Sequence, residues 1–501
     1  MYHLAEGTAL VRFEAVIGVE VHAQLLTESK MFCGCRAAFG AEPNTQTCPV
    51  CLGMPGVLPV MNRKAVEFAA RTGLAVGAQV RERSVFARKN YFYPDLPKGY
   101  QISQYEEPLC EHGVLPVETK EGGIRNVRIR RIHLEEDAGK LVHAEGYVGE
   151  NESLVDFNRC GTPLMEIVTE PDLRSPRETR LFLSKLRQLV RWLGVCDGNM
   201  EEGSLRCDAN VSLRPEGEET LGVKTELKNM NSFRGVEKAL EFEIERQAGI
   251  LAGGGRIVQE TLLWDEARGL ASPMRGKEEA HDYRYFPDPD LPPILLARGR
   301  IEALRDSMPE LPEARKARWI ASYGLSGYDA SLLTEDRAVA DYFEELVRLT
   351  GEPKPSANWV TGEVLRTLNE RKTGIDRLAA RPEHVAGIMD LIRRNAISQS
   401  AGKKVFEAVA ETGEDPETAV KRLGLAQVSD EKELQDAARG IIEANPGALK
   451  RYLGGHDKSF GFFMGELMKA TGGKANPRLA NAILKRLLDA KKSHQNMEKT
   501  T

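Results

Sequence analysis

Four of the eight cysteines fall within one short stretch, as Cys33, Cys35, Cys48 and Cys51. Two close pairs separated by a short loop can supply four thiolates to one tetrahedral Zn²⁺. Four buried or redox-active cysteines are the alternative, but scattered core cysteines would not fall into such pairs. Because a four-thiolate site has no open coordination position, the spacing predicts a structural zinc rather than a catalytic one.

Acidic and histidine side chains alternate with apolar ones along residues 16–25, VIGVEVHAQL. In an extended strand, Glu20 and His22 share one face and the apolar residues share the other. Residues 203–214 and 222–233 alternate in the same way. Such alternation is typical of an antiparallel sheet with one packed and one open face. Simple solvation of the open face is the alternative, but His beside Glu is unusual on a solvated strand.

Further carboxylates flank these strands. Glu135 and Glu136 follow each other in RIRRIHLEEDAGK, Glu166 lies in an apolar run, and Lys89 lies in a turn-rich segment. An ionised Glu166 costs free energy there unless it is paired or bound to a metal. Carboxylates with one His suit Mg²⁺, and nearby Lys and Arg suit a triphosphate. The residues therefore indicate phosphoryl transfer from ATP on a sheet face, since no Walker A motif is present.

The elements that must position these groups change character along the chain. Residues 1–293 are rich in short alternating runs, Gly and Pro, whereas later residues show helical periodicity. The proline-rich DPDLPPI marks the boundary. We predict an α+β protein with an N-terminal, mostly antiparallel-sheet domain (1–293), a helical linker domain (294–400) and a helical tail (401–501). An aromatic content of 6% argues against an all-β sandwich.

Charge and hydropathy exclude several classes of protein. The 69 Lys and Arg nearly balance the 74 Asp and Glu, which is unlike a histone-like protein. No apolar run is long enough to span a membrane, and the N-terminus has no secretory pattern. We therefore expect a cytoplasmic protein with reduced thiols.

The C-terminal region is basic. Residues 446–501 hold eleven Lys and Arg against four Asp and Glu, a net charge of +7. This charge predicts a polyanionic partner, and a solvated helical face explains it equally well. In KANPRLANAILK we expect Asn476 to cap a helix that buries Leu479, Ile483 and Leu487. The basic residues of interest are Lys469, Lys474, Arg478, Lys485 and Arg486.

Several long blocks resemble the B-subunit family of the bacterial GatCAB aspartyl/glutamyl-tRNA(Asn/Gln) amidotransferases. The resemblance runs from about residue 13 to about residue 489, and its C-terminal part is similar to the YqeY-type tail. The blocks are GVEVHAQL, CPVCLGMPGVLPVMN, RKNYFYPDLPKGYQISQ, HLEEDAGK, NRCGTPLMEIVTEPD, MEEGSLRCDANVSLR, ELKNMNSF, DYRYFPDPDLPP and GFFMGELMKATGGKANPRLANAILK.

The resemblance implies a fold and a reaction. The fold is a cradle domain with a glutamine-synthetase-like sheet, followed by helical parts that contact tRNA. The reaction is ATP-dependent phosphorylation of the side-chain carboxylate of Asp-tRNA(Asn) or Glu-tRNA(Gln), followed by displacement of the phosphate by ammonia. The products are Asn-tRNA(Asn) or Gln-tRNA(Gln).

The resemblance also implies site residues. It places the Mg²⁺ ligands at His22, Glu136 and Glu166. Neighbouring positions of the pocket and the ammonia path fall at Glu20, Lys89 and Glu135. The four clustered cysteines match the zinc knuckle of the family, which some members lack.

Partners follow from what the chain does not contain. It has no Ser-Ser-Lys amidase signature, so glutamine hydrolysis belongs to another subunit. The resemblance implies the amidase A subunit (GatA), the small C subunit (GatC), the misacylated tRNA and, as a further candidate, the non-discriminating aminoacyl-tRNA synthetase. Two other interpretations stay open: a non-catalytic, zinc-containing tRNA-binding scaffold, and a free-standing glutamine-synthetase-like ligase.

Overall fold

A computed structural model describes residues 12–120, 122–142, 152–274, 282–426, 431–456, 458–472 and 475–498. The chain divides into two compact units, Met1–Pro312 and Glu313–Thr501. Residues 1–11, in which no secretory pattern was expected, lie outside the described residues, and so does Lys474.

The strands of the described residues all belong to the first unit. They are β1 (Phe13–Gln24), β2 (Gln79–Val80), β3 (Arg83–Ser84), β4 (Ala87–Asn90), β5 (Tyr100–Ser103), β6 (Cys110–Glu118), β7 (Ile124–Glu136), β8 (Lys140–Val142), β9 (Leu154–Asp156), β10 (Pro163–Thr169), β11 (Leu205–Pro215), β12 (Thr225–Lys228), β13 (Thr261–Asp265), β14 (Leu270–Pro273), β15 (Phe286–Pro287) and β16 (Ile294–Leu295).

Nine of these strands form one sheet in the order β14-β13-β12-β11-β1-β10-β7-β6-β2. Every neighbouring pair in it is antiparallel except β12 and β13, which run parallel. Smaller sheets join β15-β4-β5, β16-β3 and β8-β9. The prediction of a mostly antiparallel sheet followed by a helical region is confirmed.

Helices cover one face of the large sheet. The first unit contains α1 (Arg63–Ala75), α2 (Pro176–Trp192), α3 (Phe233–Ala252) and α4 (Arg298–Asp306). α1 packs on β7, α2 on β6 and α3 on β11. Beneath them Ile17, Val19 and Val21 are almost fully buried, and burying each such side chain contributes about 1.5–3 kcal/mol. The opposite face of β1 carries Glu20 and His22, so the predicted alternation is confirmed.

The regular elements among the described residues of the second unit are all helices or helical turns. It contains α5 (Pro312–Tyr323), α6 (Gly327–Leu333), α7 (Arg337–Thr350), α8 (Pro353–Trp359), a π-helical turn (Val360–Val364), α9 (Leu365–Arg371), a 3₁₀ turn (Ile375–Arg377), α10 (Pro382–Arg393), α11 (Gln399–Thr412), α12 (Pro416–Leu423), α13 (Glu431–Ala444), α14 (Pro446–Leu453), α15 (Ser459–Ala470) and α16 (Pro477–Glu498).

The last four helices share a hydrophobic core of their own. The side chain of Asn476 caps α16 by accepting hydrogen bonds from the backbone N–H groups of residues 478 and 479, as predicted. Ile483 is buried as expected, but Leu479 and Leu487 are only partly buried. Leu484 and Leu488 are fully buried instead, because the neighbouring helices cover a face rotated by about one residue from the predicted one.

The first unit extends beyond residue 293, the predicted end of the sheet domain. Helix α4 contributes Ile301 and Leu304 to the core of this unit, and Arg300 pairs with Glu67 of α1. The periodicity changes to helical at α4, but this helix still packs on the sheet domain. The division at residue 400 stays a prediction. Among the described residues, no helix combines the length and apolarity that a bilayer crossing requires.

Candidate functional site

The open face of the large sheet forms the floor of a cavity of about 470 Å³. Strand register builds this floor: His22 on β1 lies opposite Glu166 on β10, and Glu166 lies opposite His133 on β7. On its other side, His22 lies opposite Arg206 on β11. Because directly opposed residues point to the same face of a sheet, one transverse row carries two histidines, a carboxylate and a guanidinium.

Three potential metal ligands converge in this row. The Nε2 atom of His22 lies 3.4 Å from Glu166 Oε2 and 3.5 Å from Glu135 Oε1. The ligand atoms of these three residues all lie within 4.8 Å of one another. Both carboxylates are buried. Two carboxylates that offer several oxygens, with a single imidazole, fit the small number of protein ligands that Mg²⁺ takes.

Glu136 does not join this cluster. Successive residues of a strand point to opposite faces, so Glu136 leaves the sheet on the side away from Glu135. Its carboxylate accepts hydrogen bonds from Lys98 Nζ and, at 3.0 Å, from the Ile102 backbone N–H. It lines a separate cavity of about 100 Å³ beside Cys51. The expected trio of His22, Glu136 and Glu166 is therefore not brought together, and Glu135 takes the place of Glu136.

The buried charges in the row compensate one another. Burial alone would lower the pKa of His22, but Glu166 and Glu135 outweigh it and raise the pKa to about 9. Burial would raise the pKa of Glu166, yet His133 and His22 hold it well below its ordinary value. A bound metal ion requires a neutral His22, so metal and proton compete for the same nitrogen.

The cavity walls around the cluster carry cations as well as further carboxylates. Burial would lower the pKa of Lys89, but Glu135 raises it above its ordinary value, so this ammonium stays charged. Arg206 donates to the buried Asp137 at 3.0 Å, and Gln24 donates to the same carboxylate at 2.9 Å. Burial opposes ionisation of Asp137, but Arg206 and Arg159 lower its pKa. Lys89 and Arg206 both line the cavity, and Arg206 is held in place by Asp137.

Glu20 lines the cavity but lies outside the trio of ligands. Burial raises its pKa, and the nearby Glu166 and Glu226 raise it further. A carboxylate in this position accepts a proton more readily than one in water. Glu20 and Lys89 were both predicted to lie in the pocket, and both line it.

Some residues of this site were not predicted from the sequence. His133, which is 2% exposed, contacts Glu166 through Nε2 at 3.2 Å. Asp137 and Arg206 form the ion pair described above. The signal for His133 was present, since it precedes Glu135 by two residues in a strand and must share its face. No comparable signal pairs Asp137 with Arg206, because they come from distant parts of the chain.

The four clustered cysteines lie together, as predicted: their sulfur atoms are all within 4.8 Å of one another. The thiol of Cys33 hydrogen-bonds to Cys51, and with the backbone of Cys48 and the ammonium of Lys30 it lowers the pKa of Cys51 to about 4. Lys30 is fully buried, and its Nζ lies 3.6 Å from Cys51 Sγ. Four sulfurs at this spacing fit one tetrahedral Zn²⁺.

The knuckle around the cysteines packs tightly against the sheet domain. Gly53 has a φ of +64°, and a Cβ atom there would clash with Cγ of Lys98. Glycine is therefore required both by the backbone conformation and by the close approach of the lysine. The knuckle thus supports Lys98, which in turn pairs with Glu136.

Comparison with known proteins matches this architecture. Residues 15–302 match the family model described as the GatB/GatE catalytic domain, and residues 341–488 match the GatB domain model. Three similar proteins are each named as the B subunit of an aspartyl/glutamyl-tRNA(Asn/Gln) amidotransferase. That of Thermodesulfovibrio yellowstonii is 55% identical, over 95% of this chain and 100% of its own.

The second of these relatives, from Chlorobaculum tepidum, is 53% identical, over 96% of this chain and 100% of its own. The third, from Syntrophotalea carbinolica, is also 53% identical, over 95% of this chain and 99% of its own. The family resemblance in the sequence is thereby confirmed. The chain belongs to the family of aspartyl/glutamyl-tRNA(Asn/Gln) amidotransferase B subunits.

Proposed function

We propose that this chain phosphorylates the side-chain carboxylate of Asp-tRNA(Asn) or Glu-tRNA(Gln) with ATP and then forms the amide with ammonia. The observation that supports this most is the convergence of His22, Glu135 and Glu166 in a cavity that is also lined by Lys and Arg side chains. On a purely solvated sheet face, charged side chains stay exposed to water. Here two carboxylates are buried against two histidines, although removing a charged group from water costs several kcal/mol.

The chemistry has two steps. A carboxylate is a poor electrophile, so in the first step one of its oxygens attacks the γ-phosphorus of ATP. The bond from that phosphorus to the bridging oxygen of the β-phosphate breaks, ADP leaves, and an acyl phosphate is formed. In the second step the nitrogen of ammonia attacks the carbonyl carbon, the bond from carbon to the phosphate oxygen breaks, and inorganic phosphate leaves. The proton lost by the nitrogen moves to a nearby base.

The residues of the cavity divide these tasks. His22, Glu135 and Glu166 would hold Mg²⁺, which supplies positive charge beside the phosphates when bound. Lys89 and Arg206 orient the carboxylate and phosphate oxygens as charge-assisted donors. Glu20 has a raised pKa and accepts the proton of the attacking nitrogen. Glu136 and Lys98 line a different cavity and take no part in the proposed reaction.

Zinc has a different role from Mg²⁺ in this proposal. The four cysteines would hold it in a site with no open position, so it braces the knuckle and takes no part in the reaction. The contacts of Gly53 with Lys98 link that knuckle to the sheet domain.

The partners supply what the cavity does not contain. Ammonia must arrive uncharged from glutamine hydrolysis, which we assign to an amidase subunit (GatA) supported by a small subunit (GatC). The names of the relatives designate each of them as one subunit of an amidotransferase, which is consistent with such an assembly. We assign misacylated tRNA to the helical second unit, the non-discriminating synthetase as a further partner, and the cytoplasm as the location.

An ATPase assay on the assembled complex tests the proposal. Turnover of ATP is measured with no tRNA, with uncharged tRNA, with Asp-tRNA(Asn) and with Glu-tRNA(Gln). We expect turnover to depend on a misacylated tRNA and to yield the amidated product. Stimulation by a free small acid instead would indicate a free-standing ligase, and tRNA binding without turnover would indicate a scaffold.

A further inference from the structure

A second cavity, of about 570 Å³, opens beside the polar one. The two share part of their walls, including Lys89, Tyr91 and Tyr283. The second cavity differs in character, because aromatic side chains from residues 91–93 and 283 line it. The two cavities are therefore adjacent, and Lys89, Tyr91 and Tyr283 lie where they meet.

Two aromatic side chains in this second cavity face solvent. Phe92 is 89% exposed, and Tyr93 is 54% exposed. A single exposed apolar side chain is ordinary on a protein surface. Phe92 and Tyr93 are adjacent and both line the cavity beside the proposed substrate pocket. Their rings therefore offer a flat apolar surface to a ligand. Rings of this kind stack with nucleotide bases, since every base has a π-face.

The surroundings of these rings are fixed. The side-chain amide of Asn90 donates to the backbone carbonyls of Tyr283 at 3.1 Å and Arg284 at 2.9 Å. Tyr91 packs edge-to-face on Tyr283, with ring centroids 6.0 Å apart. These contacts tie the segment after β4 to the segment before β15. The aromatic cavity is therefore held in shape by hydrogen bonds and ring packing before any ligand arrives.

Phe92 itself rests on a glycine. Gly99 has a φ of +73°, and a Cβ atom there would lie 3.2 Å from the Phe92 ring. The absence of a side chain at position 99 lets the ring lie over the turn that follows. Among the described residues, no other aromatic ring stacks on Phe92. Its outer face is therefore open to a stacking partner.

The charges of the aromatic cavity favour a base over a phosphate. Lys89 and Arg284 contribute two cations, while Asp95 and Asp282 contribute two carboxylates. The backbone N–H of Arg284 donates to Asp282 at 3.0 Å. These charges balance, and among the described residues no group of candidate metal ligands lies in this cavity, whereas one lies in the polar cavity. Stacking and hydrogen bonding to an uncharged base suit it better.

We propose that Phe92 and Tyr93 form a stacking subsite for the adenine base of a substrate nucleotide. This inference rests on the proposed function, whose two substrates both carry an adenosine: ATP contains one, and the 3′ end of tRNA is one. The reacting phosphate or aminoacyl group then lies at the His22 cluster, and the base lies at the aromatic rim. The two sources share the same chemistry, and kinetics distinguish them.

The test uses the full complex with wild-type protein, Phe92→Leu and Phe92→Trp. Leucine keeps apolar volume but removes the π-face, whereas tryptophan restores it. Phe39→Leu is the matched control, since Phe39 is 78% exposed and lines neither cavity. The KM values for ATP and for misacylated tRNA, together with kcat, are measured for each protein.

We expect Phe92→Leu to raise one of the two KM values about tenfold, in line with the usual strength of base stacking on an aromatic ring. Phe92→Trp should restore it, and Phe39→Leu should change neither. A rise confined to tRNA assigns the base to the tRNA end, and a rise confined to ATP assigns it to ATP. If Phe92→Leu changes both KM values less than twofold, the subsite does not exist.

Direct titration separates this test from the proposed function. ATP and a short single-stranded RNA ending in CCA are each titrated into the same complexes by calorimetry. If the wild-type complex shows no tRNA-dependent turnover, the proposed function fails, but the subsite still requires weaker binding of one ligand to Phe92→Leu. Equal binding by wild type and Phe92→Leu overturns the subsite whatever the activity.

Discussion

The cysteine cluster and the carboxylate cluster are two candidate metal sites in the same sheet domain, and they differ in how the chain builds them. The four cysteines lie close together in the sequence, so a knuckle of local turns brings their sulfur atoms within 4.8 Å. His22, Glu135 and Glu166 come from three strands, and β10 separates β1 from β7 in the sheet. Local spacing is sufficient for the first site, whereas the second depends on register across the sheet.

This difference explains why the four cysteines lie together as expected, whereas Glu136, which the resemblance places beside His22 and Glu166, does not lie beside them. The alternation of side chains shows that Glu135 and Glu136 lie on opposite faces of β7, but not which of them faces His22. The pairing of Glu166 with His133 settles the face, because His133 and Glu135 have the same parity. A one-residue slip would reverse the assignment.

The largest expected effect comes from the carboxylate cluster. Glu166→Gln keeps the shape of the side chain but removes a negative charge from the proposed metal site. We expect tRNA amidation by the assembled complex to fall about 100-fold or more, since a charged group at the reacting phosphate is lost. Glutaminase activity should be partly retained.

The control for this variant is Glu118→Gln, at the exposed end of β6 in the same sheet. It should amidate like the wild type. Amidation by Glu166→Gln at the wild-type rate would remove this residue from the site.

The next effect concerns the ion pair of Lys98 and Glu136, which lies on the other side of β7. Both side chains are buried, so Glu136→Gln leaves an unpaired ammonium in the interior. We expect a loss of about 3–5 kcal/mol in the free energy of unfolding, measured by urea denaturation. The double variant Lys98→Met/Glu136→Gln should recover most of it. If Glu136→Gln is stable but binds Mg²⁺ more weakly, the Mg²⁺ ligands are His22, Glu136 and Glu166, as the resemblance implies.

The cysteine cluster should influence stability more than chemistry. Wild-type protein purified under reducing conditions without chelator should contain one zinc per chain, measured by elemental analysis. Cys48→Ala should lose the metal and unfold at a lower temperature, while its kcat changes less than threefold, because a closed site contributes to folding alone. Cys110 is buried outside the cluster, so Cys110→Ala should keep its zinc. Zinc-free wild-type protein would refute the site.

The smallest expected effect comes from the basic tail. Helices α13–α16 have their own core, so a chain ending at residue 426 removes a unit that packs on itself. The KM for misacylated tRNA should rise about tenfold and depend less steeply on salt, since phosphate contacts are lost. The KM for ATP should stay unchanged. If tRNA affinity and its salt dependence are both retained, the positive charge of the tail is only surface charge.

The sequence predicted most of the fold because its signals are local. The alternation along most of β1 and β11, and the Asn476–Pro477 start of α16, are each set by neighbouring residues. The site is less predictable because register, sheet order and burial arise from distant segments. His133 was overlooked although it lies in the same segment as Glu135, and the ion pair of Asp137 with Arg206 joins two strand regions that no spacing rule connects.

Metal affinity tests the central claim most directly. Mn²⁺, used as a paramagnetic substitute for Mg²⁺, is titrated into the wild-type complex, Glu135→Gln and Glu136→Gln, and free Mn²⁺ is followed by electron paramagnetic resonance at a temperature where all three are folded. We predict that Glu135→Gln weakens Mn²⁺ binding at least tenfold, while Glu136→Gln stays within about twofold of the wild type. The reverse pattern, with Glu136→Gln weakened and Glu135→Gln unchanged, would contradict the assignment of His22, Glu135 and Glu166 as the metal ligands.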